Sequence, residues 1–290
     1  MVLIPAARFW CASAGMSKSS HSMPKKTLIF SLPWYKVEEA CREQTMREIS
    51  TWGVRKLVVP QYFWQPDNPG MLSRMQGLAR RYGMTFAAAH GLLGPENDLS
   101  CAGPEAMAAH QQFLAELAAV GVRTYTVHSG AQHPQWAAAA QPEERFYRNV
   151  QQALETLIPV AEQHGITLAL ENIYEPLPVL ERLVRIVEDI KHPHLGLCLD
   201  TGHANVNAAG LATILALLSP RLVTCHLHDN DGQQDQHAPP GQGCIDWQWL
   251  AAELGQSDSL FQLETETRQV SPAIWQNFRK LFQDIAGPEY

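Results

Sequence analysis

Acidic residues and histidines close a series of apolar runs in this 290-residue chain. TLALEN carries Glu171, LGLCLDTGH carries Asp200 and His203, and LVTCHLHD carries His226. The loop DQH carries Asp235 and His237, and LFQLETE carries Glu264. Two earlier runs end alike, TFAAAH on His90 and TYTVH on His128. A divalent cation takes deprotonated oxygen or imidazole donors that converge from several directions. Glu171, Asp200, His226 and Glu264 would supply three carboxylates and one imidazole to a single Mn, Mg, Co or Zn ion. Without a cation or protons between them, carboxylates gathered so closely would repel one another.

Each residue alone has a plainer explanation. Asp200 in Asp-Thr-Gly suits a helix cap, Glu171-Asn172 suits a loop start, and a single strand histidine such as His226, His90 or His128 suits a buried core. The joint pattern favours a site, because ordinary strands finish on apolar residues. His228 lies on the same strand face as His226 and is expected to contact substrate or to brace a ligand. Glu266 stands in the same relation to Glu264. His203 and Trp64 are further candidates for substrate contact, with Trp34, Tyr62 and Phe63 as pocket walls or ordinary packing.

The elements that must position these residues alternate. Strand-like runs fall at 27–32, 56–61, 85–90, 123–128, 167–172, 195–200, 222–227 and 260–265. They are near-continuously apolar, as strands covered on both faces are. Helical stretches lie between them, at 37–53, 70–83, 104–121, 142–165, 179–190, 211–218, 247–254 and 273–285. Gly53, Gly121 and Gly165 are placed as C-terminal caps, and Pro159 is expected to kink its helix. Eight such alternations give an α/β fold, a single-domain (β/α)8 TIM barrel over 27–290. The runner-up is an open doubly wound sheet, but no Gly-rich nucleotide fingerprint follows any strand. Residues 1–26 read as a disordered leader, or as sequence upstream of a start at Met16 or Met23, rather than a secretion signal.

Hydrophobic residues make up 46% and charged residues 18%, ordinary for a globular protein. The net charge of -7 argues against a nucleic-acid partner. No run is long enough to span a bilayer. The six cysteines form no CxxC pair, which points to a reducing, cytoplasmic setting.

The strings ALEN, CLDTGH, HLHDNDG, DQHAPPGQG and LETE, taken together, resemble the xylose isomerase-like TIM-barrel superfamily. That superfamily holds sugar isomerases and epimerases and the endonuclease IV class of DNA repair enzymes. The resemblance runs from Thr27 to the C-terminus. Its epimerase branch implies one metal on Glu171, Asp200, His226 and Glu264, with the two glutamates moving a proton beside a carbonyl. Its endonuclease branch implies three zinc ions on nine ligands, all matched here: His90, His128, Glu171, Asp200, His203, His226, Asp235, His237 and Glu264. Two features depart from the endonuclease branch. NIYEPLP follows Glu171 in place of a Gly-rich stretch, and the loops QYFWQPDNPG and GLLGPENDLS carry no Arg or Lys for phosphates. One departs from the epimerase branch, since the arginine expected shortly after His226 is absent. HDNDG, DQH, PPGQG and IDW look instead like bacterial sugar phosphate isomerase/epimerase-like proteins.

The resemblance therefore implies a divalent-metal-dependent isomerase or epimerase of a sugar, sugar phosphate or related hydroxy-carbonyl compound, working through an enediolate. It would carry one to three metal ions per chain and act on a small carbohydrate, with homo-oligomerisation left open. The alternatives are a trinuclear zinc phosphodiesterase acting on abasic DNA, and a barrel that binds without turnover.

Overall fold

Every one of the eight apolar runs becomes a parallel strand: β1 Leu28–Ser31, β2 Lys56–Val59, β3 Thr85–His90, β4 Thr124–Val127, β5 Thr167–Glu171, β6 Leu195–Asp200, β7 Leu222–Leu227 and β8 Leu260–Glu264. They pair in chain order, and β8 pairs with β1, so the sheet closes into a barrel. The computed structural model describes residues 27–31, 37–65, 68, 70–131, 136, 144–255, 257–265 and 271–282. The expected leader at 1–26, Trp34 and Glu266 lie outside the described residues.

Helices follow the strands: α1 Arg42–Thr51, α2 Met71–Arg81, α3 Pro104–Ala119, α4 Glu144–His164, α5 Leu177–Ile190, α6 Thr201–Val206, α7 Leu211–Leu218, α8 Trp247–Leu254 and α9 Pro272–Leu281. Gly53 and Gly121 end α1 and α3 with φ of +84° and +92°, a conformation glycine adopts without a Cβ clash. The helix α4 continues past Pro159 as one element. No described helix is long and apolar enough to cross a membrane.

The strand parity decides what reaches the mouth. Leu28, Phe30, Leu57 and Val59 belong to the large core shared with the helices. Ile29, Val58 and Ala88, of the opposite parity, form a separate small cluster inside the barrel. Polar residues continue that interior on the other side, where Gln262 Nε2 donates to Thr224 Oγ1 at 2.7 Å. Glu171, Asp200, His226 and Glu264 are the next inward residues at the carboxyl ends of β5 to β8. Asp200 pairs in register with His226.

Several runs end one residue earlier than the sequence suggests. His128, Asn172 and Thr265 fall just past β4, β5 and β8. His128 then reaches Glu171, and Asn172 bonds Asp200, each at the end of the adjacent strand. The one-and-a-half-turn helix α6, starting directly after Asp200, is not evident from the apolar pattern because it is so short.

Candidate metal centre

The site is built from strand ends inward. His226 Nδ1 lies 3.0 Å from Glu171 Oε1 and 2.9 Å from Glu264 Oε2. On its far side His226 Nε2 is 3.4 Å from Thr126 Oγ1 on β4. The other oxygen of Glu171, Oε2, is 3.1 Å from His128 Nε2 and 3.8 Å from His90 Nε2. Asp200 serves two neighbours at once. Oδ1 accepts from the backbone N–H of His203 at 2.7 Å, which caps α6, and Oδ2 accepts from His228 Nε2 at 2.9 Å. Asn172 joins β5 to β6 by accepting from Asp200 N at 2.9 Å and donating to Asp200 O at 3.1 Å.

A second group sits where α6 meets the loop after β7. Asp235 Oδ2 is 2.9 Å from His237 Nε2 and 3.2 Å from His203 Nε2, and it accepts from the Tyr174 hydroxyl at 2.9 Å. Asp229 holds this loop in shape. Its buried carboxylate accepts from Gly241 N, Ile245 N and Trp247 Nε1 at 2.9, 3.2 and 2.8 Å. His237 adopts φ +44°, an uncommon conformation for a non-glycine residue and one that recurs at functional positions.

The donors are close enough to share ions. Four sets have ligand atoms all within 4.8 Å of one another: His90, Glu171 and His226; Asp200, His226 and Glu264; Glu171, Asp200 and His203; and His203, Asp235 and His237. Among the described residues, every ion-pair partner of Glu171, Asp200, Asp235 and Glu264 is a histidine. Imidazoles thus stand where these carboxylates need neighbours. Burial opposes ionisation at Glu171 and Glu264, yet the neighbouring His226 outweighs it and holds both carboxyls well below the usual range. Asp235 is likewise held low against partial burial by His203 and His237. Burial lowers His203 and His237, but Asp200, Asp235 and their neighbours win, taking His203 to about 10 and His237 to about 9. His90, half-buried and facing His128, moves the other way. An acid-rich, histidine-balanced cluster without Lys or Arg partners is a donor set that fits divalent cations.

All nine residues matched to metal ligands are therefore brought to one mouth. The candidates for substrate contact fare differently. His228 is fully buried, and its ring is engaged by Asp200. Trp64 donates to Glu116 at 3.2 Å and packs on Phe113, contacts that belong to α3. Phe63 is buried against Phe86 in the core, while Tyr62 is exposed. Sequence reasoning missed Tyr174, Asp229 and Glu175. Glu175 is buried and accepts from Ser129 Oγ and Ile173 N, both at 2.7 Å, tying together the loops after β4 and β5.

Residues 45–284 match the family described as xylose isomerase-like TIM barrel. The chain belongs to that family. An uncharacterized protein of Methanocaldococcus jannaschii, MJ1311, is 36% identical over 100 residues, which cover 32% of this chain and 34% of that one. The chain spans between 34% and 54% of the length of the curated relatives it matches. Among solved structures, 3-keto-D-glucoside 4-epimerase, YcjR, from E. coli superposes with a TM-score of 0.69 at 17% identity, covering 90% of this chain and 99% of that one. A D-tagatose 3-epimerase-like protein gives a TM-score of 0.68 at 17% identity, covering 89% and 98%. At such identities the likeness is one of fold.

Proposed function

We propose that this protein is a divalent-cation-dependent isomerase or epimerase of a sugar, sugar phosphate or related hydroxy-carbonyl compound. The observation that carries this reading is the meeting of Glu171 and Glu264 on His226 Nδ1, at 3.0 and 2.9 Å, with Asp200 in the same set of donors. Glu171, Asp200, His226 and Glu264 would hold the cation. Mn, Mg, Co or Zn bound there would lend Lewis acidity to a substrate carbonyl and its neighbouring hydroxyl.

The remaining chemistry falls to the chain's own carboxylates. One of Glu171 and Glu264 takes the proton from the carbon beside the carbonyl, and the bonding pair moves into the substrate as an enediolate. The other glutamate returns a proton, so the reaction balances without an external oxidant or reductant. Glu264, with a side chain 25% exposed against 2% for Glu171, is the more accessible partner. His203, Asp235 and His237 would take substrate oxygens or a further cation. The epimerase names carried by proteins of the same fold support a carbohydrate substrate.

A second reading has its own supporting observation. His203, Asp235 and His237 form a further donor set that shares His203 with Glu171 and Asp200, and His128 reaches the outer oxygen of Glu171, as three zinc positions of a phosphodiesterase would require. The loops at 61–70 and 91–100, which carry no Lys or Arg, weigh against a polyanionic substrate. Metal quantification on purified protein, followed by ketoses, ketose phosphates and an abasic-site duplex in deuterated solvent, separates the two. Solvent deuterium entering a ketose with one exchangeable Mn or Co supports isomerisation. Three tightly held zincs with duplex cleavage overturn it in favour of the phosphodiesterase.

A further inference from the structure

His228 presents its two edges and one face to three different members of the cluster. Nε2 donates to Asp200 Oδ2 at 2.9 Å. The opposite edge abuts Asp235, with Nδ1 3.6 Å from Oδ1, and neither atom has a hydrogen-bond partner. The ring face stacks on His237, with centroids 3.9 Å apart and planes 7° from parallel. Its backbone is fixed as well: His228 N donates to Thr201 Oγ1 at 3.1 Å, and that hydroxyl lies 2.8 Å from His228 O.

The surroundings leave room for this ring and little else. A Cβ at Gly202 would stand 2.0 Å from His228 Cε1 and 2.8 Å from Asp235 Oδ1, so a side chain there would push the two apart. His228 itself is fully buried. A group that touches Asp200 on one side and Asp235 and His237 on the other spans the two donor groups of the mouth.

We infer that His228 is a positioning residue that fixes the Asp200 donor group and the His203–Asp235–His237 group relative to each other, through a hydrogen bond to the first and a ring stack under the second. The inference rests on the reading of this cluster as a metal centre. The two contacts are separable by chemistry. A glutamine can place an amide N–H near the position of Nε2 and keep the bond to Asp200, but offers no ring to His237. A phenylalanine keeps the ring and loses the donor. Partners of this kind typically change metal affinity by about 10- to 100-fold when removed.

Zn2+ titration calorimetry on the full chain after chelator dialysis tests this, with Co2+ absorption spectra as a second readout of donor geometry. His237→Ala identifies the step belonging to the second group. His228→Gln is expected to weaken that step by about 10- to 100-fold and to leave the Asp200 step within about threefold, while His228→Phe does the reverse. The Co2+ spectrum should change at the step each variant weakens. Equal losses at both steps in both variants, no loss in either, or a wild-type chain with a single class of site would overturn the inference. A wild-type chain that takes up no Zn2+ would instead overturn the metal reading itself, and the coupling with it.

Discussion

Asp200 caps the helix that carries His203: its Oδ1 accepts from the His203 backbone N–H at 2.7 Å while the same carboxylate faces the donors of the mouth. One residue thus sets the start of α6 and offers a charge to a cation. The two roles come apart by substitution. Asp200→Asn keeps a capping oxygen and loses the charge, so metal content should fall about 10-fold or more with little change in melting temperature. Asp200→Ala removes both, and the metal-free protein should lose a further 0.5–2 kcal/mol or about that, typical of an N-cap. Metal analysis and thermal melts of the two variants check this; equal metal content in wild type and Asp200→Ala would remove Asp200 from the ligand set.

Glu264→Gln, assayed with the cation held at saturation because Glu264 is also in a donor set, tests proton transfer. The amide preserves shape and cannot accept the substrate proton. Solvent deuterium incorporation into a turned-over ketose is expected to drop by about 10²- to 10⁴-fold, the usual contribution of a positioned acid or base. The melting temperature should hold, because the side chain is partly exposed at the end of β8. Exchange at the wild-type rate would show that another group handles the proton.

The barrel and most of this centre were legible in the sequence because both depend on strand parity. An inward residue at the end of an apolar run has nowhere to point except the mouth, so Glu171, Asp200, His226 and Glu264 could be placed from the runs alone. Asp235 and His237 lie on a loop, where strand parity places nothing; their residue types drew attention to DQH, and the resemblance implied the ligand role. Asp229 and Glu175 carried no signal, since an acid that accepts backbone N–H groups from distant loops reads in sequence like any loop acid. Tyr174 was hidden for the same reason. His228 sits at a position whose parity is right for the mouth, but parity does not report that Asp200 and His237 cover the ring.

Metal binding should depend on pH through the second group. His203 is raised to about 10 and His237 to about 9, burial being outweighed by Asp200, Asp235 and their neighbours. A cation must displace those protons. Affinity is therefore expected to rise from pH 7 toward about 9 to 10, with proton release that diminishes over the same span. The metal-free protein responds with the opposite sign. A histidine raised on folding stabilises fully below its unfolded value of about 6.5, and that contribution is lost as pH climbs through the folded value. Asp235, depressed on folding, contributes above about 3.9 and loses its contribution as pH falls below that. Calorimetric titrations in buffers of different ionisation enthalpy, and melts with chelator at pH 7 and pH 10, measure both effects. Proton-independent binding would exclude these histidines as ligands.

Tyr174→Phe tests how the second group is closed. The phenol donates to Asp235 Oδ2, the oxygen that also faces His203 and His237, so it competes for the donor a cation would use. Its ring is largely exposed at the mouth, so removing the hydroxyl should change stability by less than about 1 kcal/mol. Zn2+ affinity at the His203–Asp235–His237 step is expected to rise by several-fold, roughly what one hydrogen bond is worth. The Asp200 step should not change. A fall in affinity at the second step would instead make the Tyr174 oxygen a supporting donor, holding Asp235 in place for the ion rather than occupying it.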